Sequence, residues 1–285
     1  MLVGGRCPRS PSRAQGDGGR RGEEGPVREL EGRVAVVFGA GSAGRGLSNG
    51  EAAALAYADA GAVVAAVDRD AAEAARVAAA ITGAGGTALA VTADVTDDGA
   101  VARAVARIVD TLGVPHVLHN NVGAVVPGEV TGLDLADWNR GLAINLTSAY
   151  LTCRHTLPHL RAAGRGAIVN VSSLAAIRDT GYVYPVYSAA KAGLDQLTVS
   201  LALTYAREGI RANAVLPGLI DTPMVREQVV DDPDALAARH EASPTGRMGS
   251  PHDVAQAAVF LASDRAAYVN GVCLPVDGGL SARSR

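Results

Sequence analysis

Short apolar runs alternate with longer alanine-rich stretches from Arg33 onward. Val34-Ala35-Val36-Val37-Phe38 is apolar throughout and rich in β-branched valine, which predicts a strand buried on both faces. A glycine-rich loop follows, and then 51–60 reads as a helix closed by Gly61. The same alternation predicts strands at 62–67, 87–93, 116–119, 167–171, 210–215 and 272–276. It predicts helices at 70–82, 97–112, 186–207 and 251–262, with one long helical region at 138–160. Such alternation defines an α/β fold: a parallel sheet of about seven strands, right-handed crossovers and helices on both faces. Ligands of such sheets sit beyond the carboxyl ends of the strands, so the residues that close each strand are the candidates for chemistry.

Residues 31–285 read as one domain, with no internal repeat. Residues 1–30 are rich in Gly, Arg, Pro and Ser and lack apolar periodicity. They read as a disordered extension, and they hold no apolar core of a secretory signal. The chain has 285 residues, 48% of them hydrophobic, enough for a sizeable core. Its formal charge is −3, from 26 basic and 29 acidic residues, which points to neither nucleic acid nor a membrane surface. No apolar run reaches the ~18 residues that span a bilayer. Cys7, Cys153 and Cys273 are far apart without metal spacing, which suits a reducing, cytoplasmic setting. Nearly every basic residue is arginine, and Lys191 is the only lysine.

The loop after the first strand runs Gly39-Ala-Gly41-Ser42-Ala-Gly44-Arg-Gly46-Leu-Ser48-Asn49-Gly50. Glycines between a buried strand and a helix let backbone approach a pyrophosphate, while the helix N-terminus offers free N–H groups. Asp68 closes the second strand, where a carboxylate accepts both hydroxyls of an adenosine ribose and repels a 2′-phosphate. This favours NAD over NADP, with Arg69 next door keeping NADP as the minority reading. Asp94 closes the third strand and fits either an adenine contact or a plain cap.

Tyr187 and Lys191 are four residues apart on one helix face. A free phenol has a pKa near ~10, and an ammonium ~4 Å away at an effective dielectric of ~20 would bring it to about 7, where it can exchange a proton. The pentapeptide alone also fits a surface pair. Its neighbours favour chemistry: Ser172 and Ser173 end the fifth strand, Asn120-Asn121-Val122-Gly123 ends the fourth, and Asn145 stands in the long helix as a candidate holder of a relay water.

These motifs, with Pro217-Gly218 and Asp277-Gly278-Gly279, occur in an order that resembles the short-chain dehydrogenase/reductase family in its single-domain form, from about Leu30 to Gly279. The resemblance implies a Rossmann-type doubly wound sheet and a catalytic tetrad of Asn145, Ser173, Tyr187 and Lys191. It implies dinucleotide contacts at Gly39, Ser42, Asn49, Gly50, Asp68, Arg69, Asp94, Val95, Asn120, Gly123, Tyr187, Lys191, Pro217, Gly218, Ile220 and Thr222. It also implies a homotetramer. The chain departs from the family pattern at Phe38, in place of threonine, at Val122, in place of alanine, and in a glycine loop longer by roughly four residues. Either the earlier loop glycines or Asn49 and Gly50 could hold the phosphates; the helix length favours Asn49 and Gly50. The gap from Ser173 to Tyr187 is one residue longer than in the family pattern and favours Ser173 over Ser172.

The proline-interrupted segment 219–246 reads as a mobile lid. Ser173, Tyr182, Tyr184, Tyr187 and Met224, with Val183, Val186 and Ile220, are the expected substrate contacts, which suits a hydrophobic or alicyclic alcohol. His155 and His159 share a helix face, but Pro158 intervenes and no third ligand is near, so no metal is expected. The expected function is NAD-dependent interconversion of a secondary alcohol and a ketone. The alternatives are an NADPH-preferring reductase of ketones or 3-ketoacyl thioesters, and an NAD-sensing protein without catalysis.

Overall fold

The computed structural model describes residues 28–42, 46–227 and 233–283. Seven parallel strands form one sheet in the order β3-β2-β1-β4-β5-β6-β7. They are β1 (Val34–Phe38), β2 (Val63–Asp68), β3 (Ala88–Thr92), β4 (Val117–Asn120), β5 (Gly166–Val171), β6 (Ile210–Pro217) and β7 (Cys273–Val276). The order reverses between β1 and β4, so a crevice opens beyond their carboxyl ends.

Alternation along β1 sorts its side chains between two cores. Ala35 and Val37 pack with α1 (Asn49–Asp59), α2 (Ala71–Gly83) and α9 (Pro251–Ala262). Val34, Val36 and Phe38 pack with α3 (Asp98–Leu112), α5 (Ser148–Ala163) and α6 (Pro185–Tyr205). A strand covered on both sides must be apolar at every position, as this one is. Leu30, placed in the N-terminal extension on sequence grounds, is fully buried in the first core, and its N–H bonds the Ala60 carbonyl. Residues 1–27 of that extension lie outside the described residues.

Helix starts carry their caps. The Ser48 hydroxyl accepts the Glu51 N–H at the start of α1, Asp70 and Asp97 cap α2 and α3, and Ser250 and Asp253 form a reciprocal capping box on α9. The long helix expected over 138–160 is divided. α4 (Leu135–Leu142) passes through a π-helical turn at Ala143–Thr147 into α5. The Asn145 amide donates to the Gly141 carbonyl (2.9 Å) inside that turn. A single π turn between helical residues has no sequence signature of its own, so the pattern did not reveal it. Residues 219–246 contain α7 (Pro223–Glu227) and α8 (Pro233–Ala242), with residues 228–232 outside the described residues.

Buried polar groups tie the sheet to its helices. The Tyr57 hydroxyl of α1 meets His119 Nδ1 of β4 at 3.0 Å. Asn120 donates to Asn170 Oδ1 (2.8 Å), Asn170 donates to Thr198, and Thr152 donates to Asn120. Burial drives His119 down to about 3, against 6.5 for a free imidazole. Between those values the unfolded chain takes up a proton that the folded chain refuses. Stability is therefore full above about pH 6.5 and falls as pH drops toward 3. His119 should contribute about 2 kcal/mol of stability loss between pH 6.5 and 5. Urea midpoints across that range should show a shallower acid slope in a Tyr57→Phe, His119→Leu double variant than in the natural chain.

Candidate active site

The close approach of α1 to the end of β1 begins the site. A Cβ on Gly50 would stand 1.9 Å from the Gly39 carbonyl oxygen and 2.5 Å from Asn121 Nδ2. Only glycine permits this contact, and it brings the α1 N-terminus over the strand end. Asn121 Nδ2 also donates to the Gly39 carbonyl (2.9 Å), joining the loops after β1 and β4. Gly39 itself has φ +79, the left-handed region that glycine alone enters freely. Asn49 Oδ1 is buried without a hydrogen-bond partner among the described residues. Gly44, one of the alternative phosphate-holding glycines, lies outside the described residues.

The loop's first N–H groups are held by carboxylates. Gly41 N–H donates to Asp68 Oδ2 (2.9 Å), and Ser42 N–H to Glu73 Oε2 (2.8 Å). The Ser42 hydroxyl turns inward to the Gly46 carbonyl (2.9 Å). Arg69 is exposed. Asp94 is exposed too, and its carboxylate accepts both the N–H and hydroxyl of Thr96. These bonds hold the carboxyl below its usual range, while Asp97 is the residue that caps α3. Val95 beside it is buried. Asn120 reaches the site through its backbone alone, because its side chain is spent on Asn170 and Thr152.

Beyond β5, the predicted catalytic side chains come together. α6 begins at Pro185, which presets the first turn, and one turn separates Tyr187 from Lys191. Lys191 is 2% exposed, and its ammonium donates to the Val171 carbonyl at 2.8 Å. A Cβ on Gly123 would stand 3.1 Å from Asn145 Oδ1 and 3.2 Å from Lys191 Nζ, so these three positions adjoin. Ser173 lowers the Tyr187 phenol's pKa, and its hydroxyl accepts the Ala175 N–H. Ser172 donates to the Lys191 carbonyl and pins α6 to the strand end.

Lys191 is not among the groups that shift the Tyr187 phenol. The ammonium sits 5.7 Å from the phenol ring centre and is engaged by Val171. Burial pushes the phenol above its ordinary 10, partly offset by Ser173, and pulls Lys191 down to about 8. Both charged forms lose solvation in a dry site, and the sequence does not display that dryness. Asn145 is buried and fully engaged with backbone groups. Its amide donates to the Ala124 and Gly141 carbonyls and its oxygen accepts the Ala124 N–H, so its side chain also ties the 124 loop to α4.

Tyr184 stands edge-on to Tyr187 with ring centres 5.3 Å apart, and Tyr182 stacks on Tyr184 at 5.8 Å. Arg239 of α8 lies over the Tyr182 ring and donates to its hydroxyl (2.8 Å), so α8 touches this aromatic row. Tyr182 and Met224 are exposed. Pro217 ends β6, Gly218 lies against Asp277, and Thr222 is buried at the start of α7. Ile220 is buried and bridges to Gly249, so it supports the 219–246 segment from below. His155 pairs with Asp98 (2.7 Å), and no cluster of three metal-ligating side chains occurs among the described residues.

A family model described as enoyl-(acyl carrier protein) reductase matches residues 43–281. The cis-4-hydroxycyclohexanecarboxylate dehydrogenase of Sinomonas cyclohexanicum is 47% identical over 178 residues, which is 62% of this chain and 70% of the relative. A Burkholderia xenovorans structure described as a short-chain dehydrogenase/reductase superposes with TM-score 0.87 at 43% identity, covering 91% of this chain and all of that one. A Beutenbergia cavernae structure described as an NAD(P)-dependent gluconate 5-dehydrogenase, with bound NADP, superposes with TM-score 0.83 at 36% identity, over 90% of this chain and all of that one. The chain belongs to the short-chain dehydrogenase/reductase family, whose named members here are dehydrogenases acting on CH–OH groups. It is an oxidoreductase of the NAD(P)-dependent kind.

Asn145→Ala should leave three backbone groups of the 124 loop and the π-helical turn without partners. A loss of about 1–3 kcal/mol in urea unfolding is expected, together with lower turnover.

Proposed function

We propose that the chain is an NAD-dependent dehydrogenase interconverting a secondary alcohol and a ketone, with Tyr187 as the general acid/base. The meeting of Tyr187, Ser173, Lys191 and Asn145 beside the loop after β1 carries this reading. The loop fits a dinucleotide: the Gly50 contact admits no side chain, the α1 N-terminus offers N–H groups, and Asn49 Oδ1 is a buried acceptor without a partner among the described residues. Gly39, Asn49, Gly50, Asp68, Val95, Gly123, Lys191, Pro217, Gly218 and Thr222 would hold it. A bound oxidised nicotinamide supplies the hydride acceptor and a positive charge that favours a phenolate.

The chain's own residues handle the proton. The Tyr187 hydroxyl gives a proton to a ketone oxygen or takes one from an alcohol, and Ser173 orients that oxygen. Ser173 favours the phenolate as it forms, and the Lys191 ammonium, 5.7 Å from the ring centre, adds a positive charge to a site too dry to tolerate the anion alone. Asn145 keeps Ala124 and the π-helical turn in place behind Lys191. The phenol row and Met224 favour an apolar ring as substrate, in keeping with the cyclohexane ring in the name of the Sinomonas relative.

The Asp68 carboxylate supports NAD. The NADP bound in the Beutenbergia neighbour and the exposed Arg69 support the second reading, an NADPH-preferring reductase, which paired titrations with both cofactors decide. The reading includes a cytoplasmic homotetramer. Leu203, Tyr150 and Tyr268 present exposed apolar surface for such contacts, and sedimentation velocity should give four chains per particle.

Tyr187→Phe should lower turnover by at least about a thousandfold while NAD affinity stays nearly intact, read by NADH absorbance and by calorimetry. In a panel scored with NAD, cyclic secondary alcohols should exceed gluconate in kcat/KM. Full turnover in the phenylalanine variant would remove Tyr187 from the mechanism.

A further inference from the structure

Glu73 lies five residues beyond Asp68, on the first turn of α2, and faces the glycine loop. A Cβ on Gly41 would stand 2.6 Å from Glu73 Cβ and 2.8 Å from Asp68 Oδ2, so both acidic residues flank one loop position. Each accepts one of two successive loop N–H groups, Gly41 to Asp68 and Ser42 to Glu73. Successive free N–H groups form a nest that attracts an anion such as a phosphate. Here the protein's own carboxylates fill it.

The nearby guanidinium is also engaged. Arg76 makes a two-pronged contact with Glu51 (2.6 and 2.8 Å) and reaches Glu73 through Nη2 (2.9 Å) and Nε (3.1 Å). Glu51 is 7% exposed and anchors the group to the first turn of α1. An arginine held by two carboxylates makes a poor receptor for a further phosphate, because those bonds must break first. Glu73 stays ionised, its carboxyl held below the usual range by Arg76 and the Ser42 N–H.

We propose that Glu73 is a second specificity-determining residue for the cofactor: with Asp68 it closes the loop's anion nest and, with Glu51, keeps Arg76 occupied, so that a ribose bearing a 2′-phosphate is rejected. This rests on the dinucleotide reading above and extends it to a residue on α2 that the strand-end position of Asp68 does not point to. Rejection has two parts, a charge that repels and an N–H that is taken, and two substitutions separate them. Glu73→Gln keeps an acceptor for the Ser42 N–H and removes the charge. Glu73→Ala removes both.

NADH and NADPH dissociation constants are measured by nicotinamide fluorescence on the full chain, with melting curves confirming that each variant is folded. The natural chain should bind NADH more tightly. Glu73→Gln should narrow the NADH-to-NADPH ratio by about tenfold, the effect of removing one charge near a doubly charged phosphate, and Glu73→Ala should narrow it further. An unchanged ratio in both variants, with Asp68→Asn shifting it, would overturn the role of Glu73 and leave the NAD reading standing. A natural chain that prefers NADPH would overturn both, and one that binds neither cofactor would remove the dinucleotide reading itself.

Discussion

One ammonium without solvent organises the site. Lys191 is almost wholly buried, and its charge is tolerated because the Val171 carbonyl at the end of β5 accepts from it. That bond sets α6 against the sheet edge, and the Ser172 bond to the Lys191 carbonyl sets the same turn a second time. Tyr187 follows from this anchoring, since it stands one helical turn earlier. The space opposite is kept by an absence of side chain: Gly123 passes so close to Nζ and to Asn145 that a methyl group there would press on both. A flexible lysine at a wet surface would have none of these consequences.

Much of this was legible in the residues. β1 and α9 match their expected limits to the residue, because continuous apolar valine and a Ser-Pro helix start are local signals. Tyr187 and Lys191 were legible from spacing and from the solitary lysine. What escaped was set by tertiary surroundings. The π-helical turn left no local sequence signal, and the protonation behaviour of Tyr187 depends on burial that no spacing encodes. The Asn120-Asn170 network did leave a trace, an asparagine inside Ile168-Val-Asn-Val171, where a buried strand otherwise has no use for an amide. The partnership of Glu51, Glu73 and Arg76 left none, since its members come from two helices.

The two ends of the crevice are built on different principles. At the β5 end the polar groups are few, buried and satisfied by carbonyls. At the β2 end the groups are acidic, half exposed and bound to backbone N–H. The first arrangement suits proton transfer and the second suits choosing between ligands of different charge.

The amide and hydroxyl chain running from Thr152 through Asn120 and Asn170 to Thr198 joins α5, β4, β5 and α6 by directional bonds. Apolar packing allows neighbouring elements to slide by fractions of an ångström; a row of saturated donors and acceptors fixes their register. The floor of the crevice is therefore stiff. Adaptation to a new alcohol falls to the stretches outside this row, 177–184 and 219–246, which can be lengthened, shortened or recoloured while the bonded floor beneath them stays as it is.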